Sequence, residues 1–262
     1  MADGTYDAIV VGSGPNGLAA AVQFVLVGLK VLVIEADDTL GGGVRSAELT
    51  LPGFVHDTCS TLHPLAAASP AYADVPLRDH GLEWIRPPVA VTHPFDDGTA
   101  AQLEMSLERT ASRLGADGPS YERLMGPLVK NWSKLLPELL APVHVPRHPL
   151  LLSNFGLKAL QSAENLVHSC FDGEKARALF GGIAAHSMLA LDAPASAAVG
   201  LVLGASAHVE DWPLPHGGAQ KLTDALVSFL TSAGAEFETN HRVENLRHLP
   251  PAKVILLDIT PR

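Results

Sequence analysis

The chain has 262 residues, 47% hydrophobic and 18% charged, which excludes a disordered segment and allows roughly one to two domains with a real core. A formal net charge of -10 argues against a nucleic-acid binder, which needs a basic face to neutralise phosphates. The two cysteines, Cys59 and Cys170, form no C-x-x-C, so neither a redox dithiol of that type nor a zinc ribbon is encoded, and the sparse usage fits a reducing compartment.

The opening "MADGTYDAIVV" has no basic start and no apolar signal core, so the expected location is cytoplasmic. "TYDAIVVG" is short, β-branched and apolar, which predicts a buried central strand. Gly12, Gly14 and Gly17 follow in a G-x-G-x-x-G spacing. The first allows a sharp turn, the second lets a pyrophosphate approach the backbone, and the third lets the next helix lie close on the sheet. Pro15 and Asn16 occupy the first helical turn, where free N–H groups and the helix dipole favour phosphate. The helix runs through "NGLAAAVQFVLVG" with Gly28 beyond its end.

A second strand, "KVLVIE", ends in Glu35, followed by Ala36. A carboxylate about 20 residues beyond the glycines suits ribose hydroxyls and repels a 2′-phosphate, which disfavours NADP. "ADDTLGGGVRSAEL" then places Gly41, Gly42, Gly43, Val44 and Arg45 in another glycine-rich loop. Its amides and the arginine suit a pyrophosphate, and a simple NAD domain has no obvious need for it. A solvated surface loop is the plain alternative.

"SLERTASRLG" predicts a short helix with Ser106 as N-cap and Gly115 just past its end. Leu124, Leu128, Trp132, Leu135 and Leu139 have helical spacing, interrupted by Pro127 and Pro137. "HPLLLSNFGLKAL" is apolar and reads first as a core helix. Gly200 and Gly204 form a G-x-x-x-G in "APASAAVGLVLGASAHV", better suited to soluble helix packing than to a membrane dimer. "GGAQKLTDALVSFLTSAGA" predicts a helix ending near Gly234, "EFETNHRVENL" a strand, and "AKVILLDIT" a further buried strand. Gly217 and Gly218 either permit close backbone approach to a ligand or simply start that helix.

There is no H-E-x-x-H and no G-x-S-x-G among these residues. His144 and His148 lie in a proline-rich stretch that cannot be an ordinary helix, so no metal site is expected. Cys59 has no evident activating partner and reads as a buried structural thiol. His56, His63 and His216 are acid–base candidates only by location, and no catalytic residue is assigned.

"YDAIVVGSGPNGLAAA", "VIEADDTLGGGVRS", "FVHDTCSTLHPLAAASP" and "PLPHGGAQKLTDAL" together closely resemble the phytoene desaturase-like FAD-dependent oxidoreductases, a group of carotenoid desaturases, isomerases and ketolases. The resemblance runs over essentially the whole chain. It implies an α/β fold: a doubly wound, Rossmann-like FAD-binding domain of the GR2 type, with a mostly helical inserted substrate domain. Residues 1–74 and 211–262 would be the two FAD-binding segments and residues 75–210 the partial substrate domain. The implied cofactor is FAD, contacted through Gly12, Gly14, Pro15, Asn16, Gly17, Glu35, Ala36, Gly42, Gly43, Val44 and Arg45, with the backbone of Val243 meeting adenine.

The implied chemistry is hydride transfer between flavin and a small lipophilic, polyene-like substrate. The protein orients the substrate and excludes water. The apolar insertion would form a lipophilic channel or touch a membrane peripherally. Family members usually continue into a further C-terminal part with another glycine-rich segment, which has no match here. The expectation is a fragment, a split half with a separate C-terminal partner chain, or a shortened relative. Uncovered apolar faces would then favour homo-oligomers or partner binding. Two other functions remain open: a non-catalytic binding or assembly protein, and an NAD-dependent dehydrogenase.

Overall fold

A computed structural model describes residues 5–260. The chain divides into two compact units, Met1–Ile85 with Pro213–Arg262, and Arg86–Trp212.

The first unit opens with β1 (Tyr6–Val11), α1 (Pro15–Leu26) and β2 (Val31–Ile34). It continues through the short strands β3 (Ser46–Glu48) and β4 (Val55–Asp57), the single-turn helix α2 (Pro64–Ala67) and β5 (Trp84–Ile85). The second unit holds a hairpin of β6 (Val91–Pro94) and β7 (Ala100–Leu103). It then runs through seven helices: α3 (Leu107–Arg113), α4 (Gly118–Lys130), α5 (Trp132–Leu140), α6 (Pro149–Ala159), α7 (Ala163–Cys170), α8 (Glu174–Ala184) and α9 (Ser196–Val209). The chain returns to the first unit as β8 (Leu214–Pro215), α10 (Gln220–Ser232), β9 (Glu236–Glu238) and β10 (Ala252–Leu257).

The four-stranded sheet has the order β10-β1-β2-β9, and every pairing in it is parallel. β1 is central, with Ala8 opposite both Val31 and Val254. Its apolar residues face both ways, as a doubly covered strand requires. One face packs Ala8, Val10, Val31 and Val33 against Leu18 and Val22 of α1 and Leu222 and Leu226 of α10. The other face, with Tyr6, Ile9, Leu32 and Ile34, is covered by Val243, Leu249 and Ala252. This is a Rossmann-like α/β arrangement.

Several expectations meet their elements. Gly28 and Gly234 take positive φ values of 79° and 87° just beyond α1 and α10. Ser106 Oγ accepts the Arg109 amide at 3.1 Å, capping α3. The G-x-x-x-G serves helix packing within the second unit. A Cβ on Gly200 would come 2.8 Å from the Phe180 ring, and one on Gly204 2.8 Å from the Met125 methyl.

Other expectations are corrected. α4 and α5 each contain their proline, and the break falls between them at Asn131, whose side-chain amide donates to the Pro127 carbonyl. α6 is not a core helix: it buries Phe155 and Ala159 but leaves Leu150 and Leu157 82% and 72% exposed. "EFETNHRVENL" is strand only over β9, because Asn240 turns into the left-handed region at φ 57°. β10 is an edge strand rather than a buried one, pairing with β1 alone, so Val254, Ile255 and Leu257 remain partly open. Residues 75–85, assigned by sequence to the insertion, lie in the sheet unit, where β5 pairs with β8. No helix among the described residues is long and apolar enough to cross a membrane.

In the second unit, His208 is buried between the Tyr121 hydroxyl at 2.9 Å and the Met105 carbonyl at 3.2 Å. Burial pushes its imidazole below the ordinary 6.5, against weaker upward pulls from the backbone carbonyls. A lowered histidine value means that the unfolded chain binds the proton first, so stability is full at neutral pH and declines as pH falls below about 6.5. Thermal melts from pH 8 to pH 5 should show that decline, and His208→Gln should flatten it. A variant with the same slope as wild type would remove His208 as the source.

Candidate dinucleotide-binding site

The site begins in the turn after β1. Gly12 takes φ 104°, a region that favours glycine. A Cβ there would overlap the Asp258 carbonyl oxygen, and one on Gly17 would overlap the Gly12 carbonyl oxygen. These two glycines are therefore demanded by chain-to-chain approach before any ligand is considered. Gly14 is the N-cap of α1 and Pro15 its first residue, so the missing proline N–H costs no helical bond. Asn16 is exposed on the first turn.

The second glycine loop closes over the first. Gly42 has φ 55°, and a Cβ on it would lie 3.0 Å from the Gly14 Cα. Behind it, Thr223 of α10 donates to the Val44 carbonyl at 2.8 Å. Val44 itself is buried in the core, and Gly43 is exposed beside Cys59. The thiol expected to be buried is free and exposed, because the loop after β4 runs along the surface of this turn. Arg45 is held internally, donating from Nη1 to Asp37 at 2.6 Å and from Nε to the Gly42 carbonyl at 2.7 Å. The arginine hydrogen bond holds the Asp37 carboxyl below its usual range.

Glu35 lies at the C-terminal end of β2. Its Oε2 accepts the Ser13 amide at 2.9 Å and the Ser13 hydroxyl at 2.5 Å, while Oε1 accepts the Asp37 amide at 3.0 Å. Burial pushes its pKa up, but the bonds from Ser13, Asp37 and Ala36 outweigh it and hold the carboxyl below the ordinary value. Glu35 is thus anionic at neutral pH. A carboxylate offers about four acceptor positions, so Oε1 retains one for a ribose hydroxyl. Ser13 Oγ also accepts the Gly41 amide at 3.1 Å, linking the first turn, the acid and the second glycine loop.

The chain beyond β9 runs beside this acid. Asn240 N donates to Asp37 O and His241 N to Glu35 O, each at 2.9 Å. Val243 follows, with its side chain against the sheet. Gly14, Gly42, Glu35, Ala36, Arg45 and the approach to Val243 therefore share one end of the sheet.

The three histidine candidates sit in different settings. His56 meets Thr50 Oγ1 at 2.8 Å, His216 is exposed, and His63 is buried. Burial lowers the His63 pKa against an upward pull from Asp57, and its Nε2 has no hydrogen-bond partner. Sequence reasoning misses Ser13, Asp37 and Asp258. For Ser13 a signal exists, since its neighbours set the turn and its hydroxyl can reach local acceptors.

A dinucleotide fits these residues. The cradle at Gly14 and Gly42 is open only because side chains are missing there, and Glu35 keeps a lone pair that could accept a hydroxyl. Ser13→Ala should cost about 1.5–3 kcal/mol, the range for a hydrogen bond to a charged group. Denaturant melts would read the loss, and carboxyl NMR titration should show Glu35 moving upward. Unchanged stability with an unchanged titration would remove Ser13 from this role.

Comparison with known proteins agrees with the geometry. Residues 10–75 match the family model described as NAD(P)-binding Rossmann-like domain. A component of the limonene dehydrogenase of Castellaniella defragrans is 29% identical over 136 residues, 52% of this chain and 24% of that protein. Phytoene desaturase of Fusarium fujikuroi is 24% identical over 94% of this chain and 45% of its own length. Among solved structures, an oxidoreductase from Methanosarcina mazei superposes with a TM-score of 0.60 at 17% identity, over 95% of this chain and 58% of that one. The chain thus spans about half the length, or less, of the curated relatives it matches. The chain is thus Rossmann-like by sequence at its start and similar to a phytoene desaturase along nearly all its length.

Proposed function

We propose that the chain is the nucleotide-holding portion of an FAD-dependent oxidoreductase that moves a hydride between flavin and a small lipophilic substrate. The observation that carries this reading is the apposition of Gly42 on Gly14 beside an anionic Glu35 with a remaining acceptor position. When bound, the isoalloxazine accepts or returns a hydride. The chain's own residues bind and orient. The first turn and the glycine loop admit the pyrophosphate, Glu35 accepts from the ribose, and the backbone at Val243 meets adenine. Arg45 contributes by bracing the Gly42 carbonyl, since its charge is already paired with Asp37. A lipophilic substrate is supported by two relatives whose names specify limonene and phytoene.

The test is the visible spectrum of the purified chain, with identification of any molecule released on denaturation. Stoichiometric FAD is expected, and Glu35→Ala should weaken its retention roughly tenfold, the loss of one charge-assisted hydrogen bond. A chain that neither carries nor takes up FAD would overturn the reading.

A second reading, assembly with another chain without catalysis of its own, is favoured by β10. Val254, Ile255 and Leu257 are 38–47% exposed along an edge with free backbone groups, and Ile259 just beyond is 52% exposed. Light scattering should show association at micromolar concentration that Ile255→Lys with Leu257→Lys abolishes. A wild-type chain that stays monomeric would count against assembly through this edge.

A further inference from the structure

Two internal carboxylates converge on the amides of the glycine turn. Glu35 takes the Ser13 amide, and Asp258, just past β10, takes the Gly17 amide at 2.7 Å through Oδ2. Pro15 has no N–H, so the first turn of α1 offers only the amides of Asn16 and Gly17. The Asp258 carboxylate is held at this place by its own backbone, whose amide donates to the Val11 carbonyl at 2.8 Å. The same Oδ2 would lie 3.1 Å from a Cβ on Gly14, which puts a negative charge against the residue that a pyrophosphate must approach.

No cation offsets that charge among the ion pairs of the described residues. Tyr72, whose hydroxyl donates to the Pro15 carbonyl at 2.9 Å, senses it: burial and then the Asp258 charge raise its pKa to about 12.

We infer that Asp258 is an affinity-setting residue that occupies the positive end of α1 and opposes entry of the dinucleotide pyrophosphate. This rests on the FAD reading above and deepens it. The physical basis is competition. A helix N-terminus favours one anion, and a second anion beside it loses part of that gain to repulsion. Without cofactor the carboxylate stabilises the turn. With cofactor it must share the amides or rotate away. The residue thereby links the last strand of the sheet to the first turn of the fold, and nucleotide affinity to the placement of β10.

Asp258→Asn isolates the charge, because the amide oxygen can still accept from Gly17. The experiment measures FAD and ADP binding to wild type and this variant by fluorescence quenching and calorimetry, with thermal melts of the cofactor-free chains. Asp224→Asn, a surface carboxylate on α10 paired with Lys221, controls for net charge. The expected result is roughly threefold to tenfold tighter binding of both ligands by Asp258→Asn, with a lower melting temperature in their absence. Asp224→Asn should change neither. Equal affinity in wild type and Asp258→Asn, or weaker binding by the variant, overturns the competition while leaving the FAD reading intact. Failure of every chain to bind FAD or ADP overturns both.

Discussion

The structure of the site depends on one buried hydrogen-bonded group, the side chain and amide of Ser13 against Glu35. Ser13 is fully buried, and its hydroxyl both donates to the carboxylate and accepts from Gly41. Three segments meet at that oxygen: the turn after β1, the end of β2 and the second glycine loop. A buried hydroxyl without partners costs about 1–3 kcal/mol, so the arrangement is all or nothing. It also settles the charge state of Glu35, because donors aimed at a carboxylate favour its ionised form. The Glu35 carboxylate is thereby positioned by the protein's own donors.

The glycines around this group serve two masters. At Gly12 and Gly17 a methyl group would overlap backbone oxygen of the protein itself, and at Gly41 it would lie 2.5 Å from the Thr223 hydroxyl. At Gly14 and Gly42 the space concerned is the cradle. A glycine-rich spacing read as a ligand motif is thus equally a packing motif, and substitutions at Gly12 or Gly17 would strain the cofactor-free fold as well. Loss of binding in such variants would not by itself identify a contact.

Local signals carry the start of the chain. The apolar run of β1, the glycine punctuation and the acid ending β2 are all within one βαβ unit, where spacing and periodicity speak directly. What the sequence hides is long-range. Asp258 reaches Gly17 across 241 residues, and no local pattern announces that pair. Arg45 reads as a free cation because its partner, Asp37, looks like one more exposed acid in "ADDT". β10 reads as buried because its composition matches that of β1, whereas strand order decides which of two similar strands is covered. α6 misleads for a related reason: an apolar segment has no fixed inside until its neighbours are known, and here Phe155 and Ala159 are its buried residues.

The candidate site is drawn entirely from the sheet unit, from β1, β2, the segment after β9 and the loop braced by α10. These pieces are hydrogen-bonded to one another, so little conformational freedom remains to be lost there when a nucleotide binds. Chemistry at the flavin makes other demands, namely an oriented substrate and excluded water, and none of the three histidines near the loops supplies a preorganised acid or base. At that end of the sheet two internal carboxylates, Glu35 and Asp258, divide the amides of a single turn.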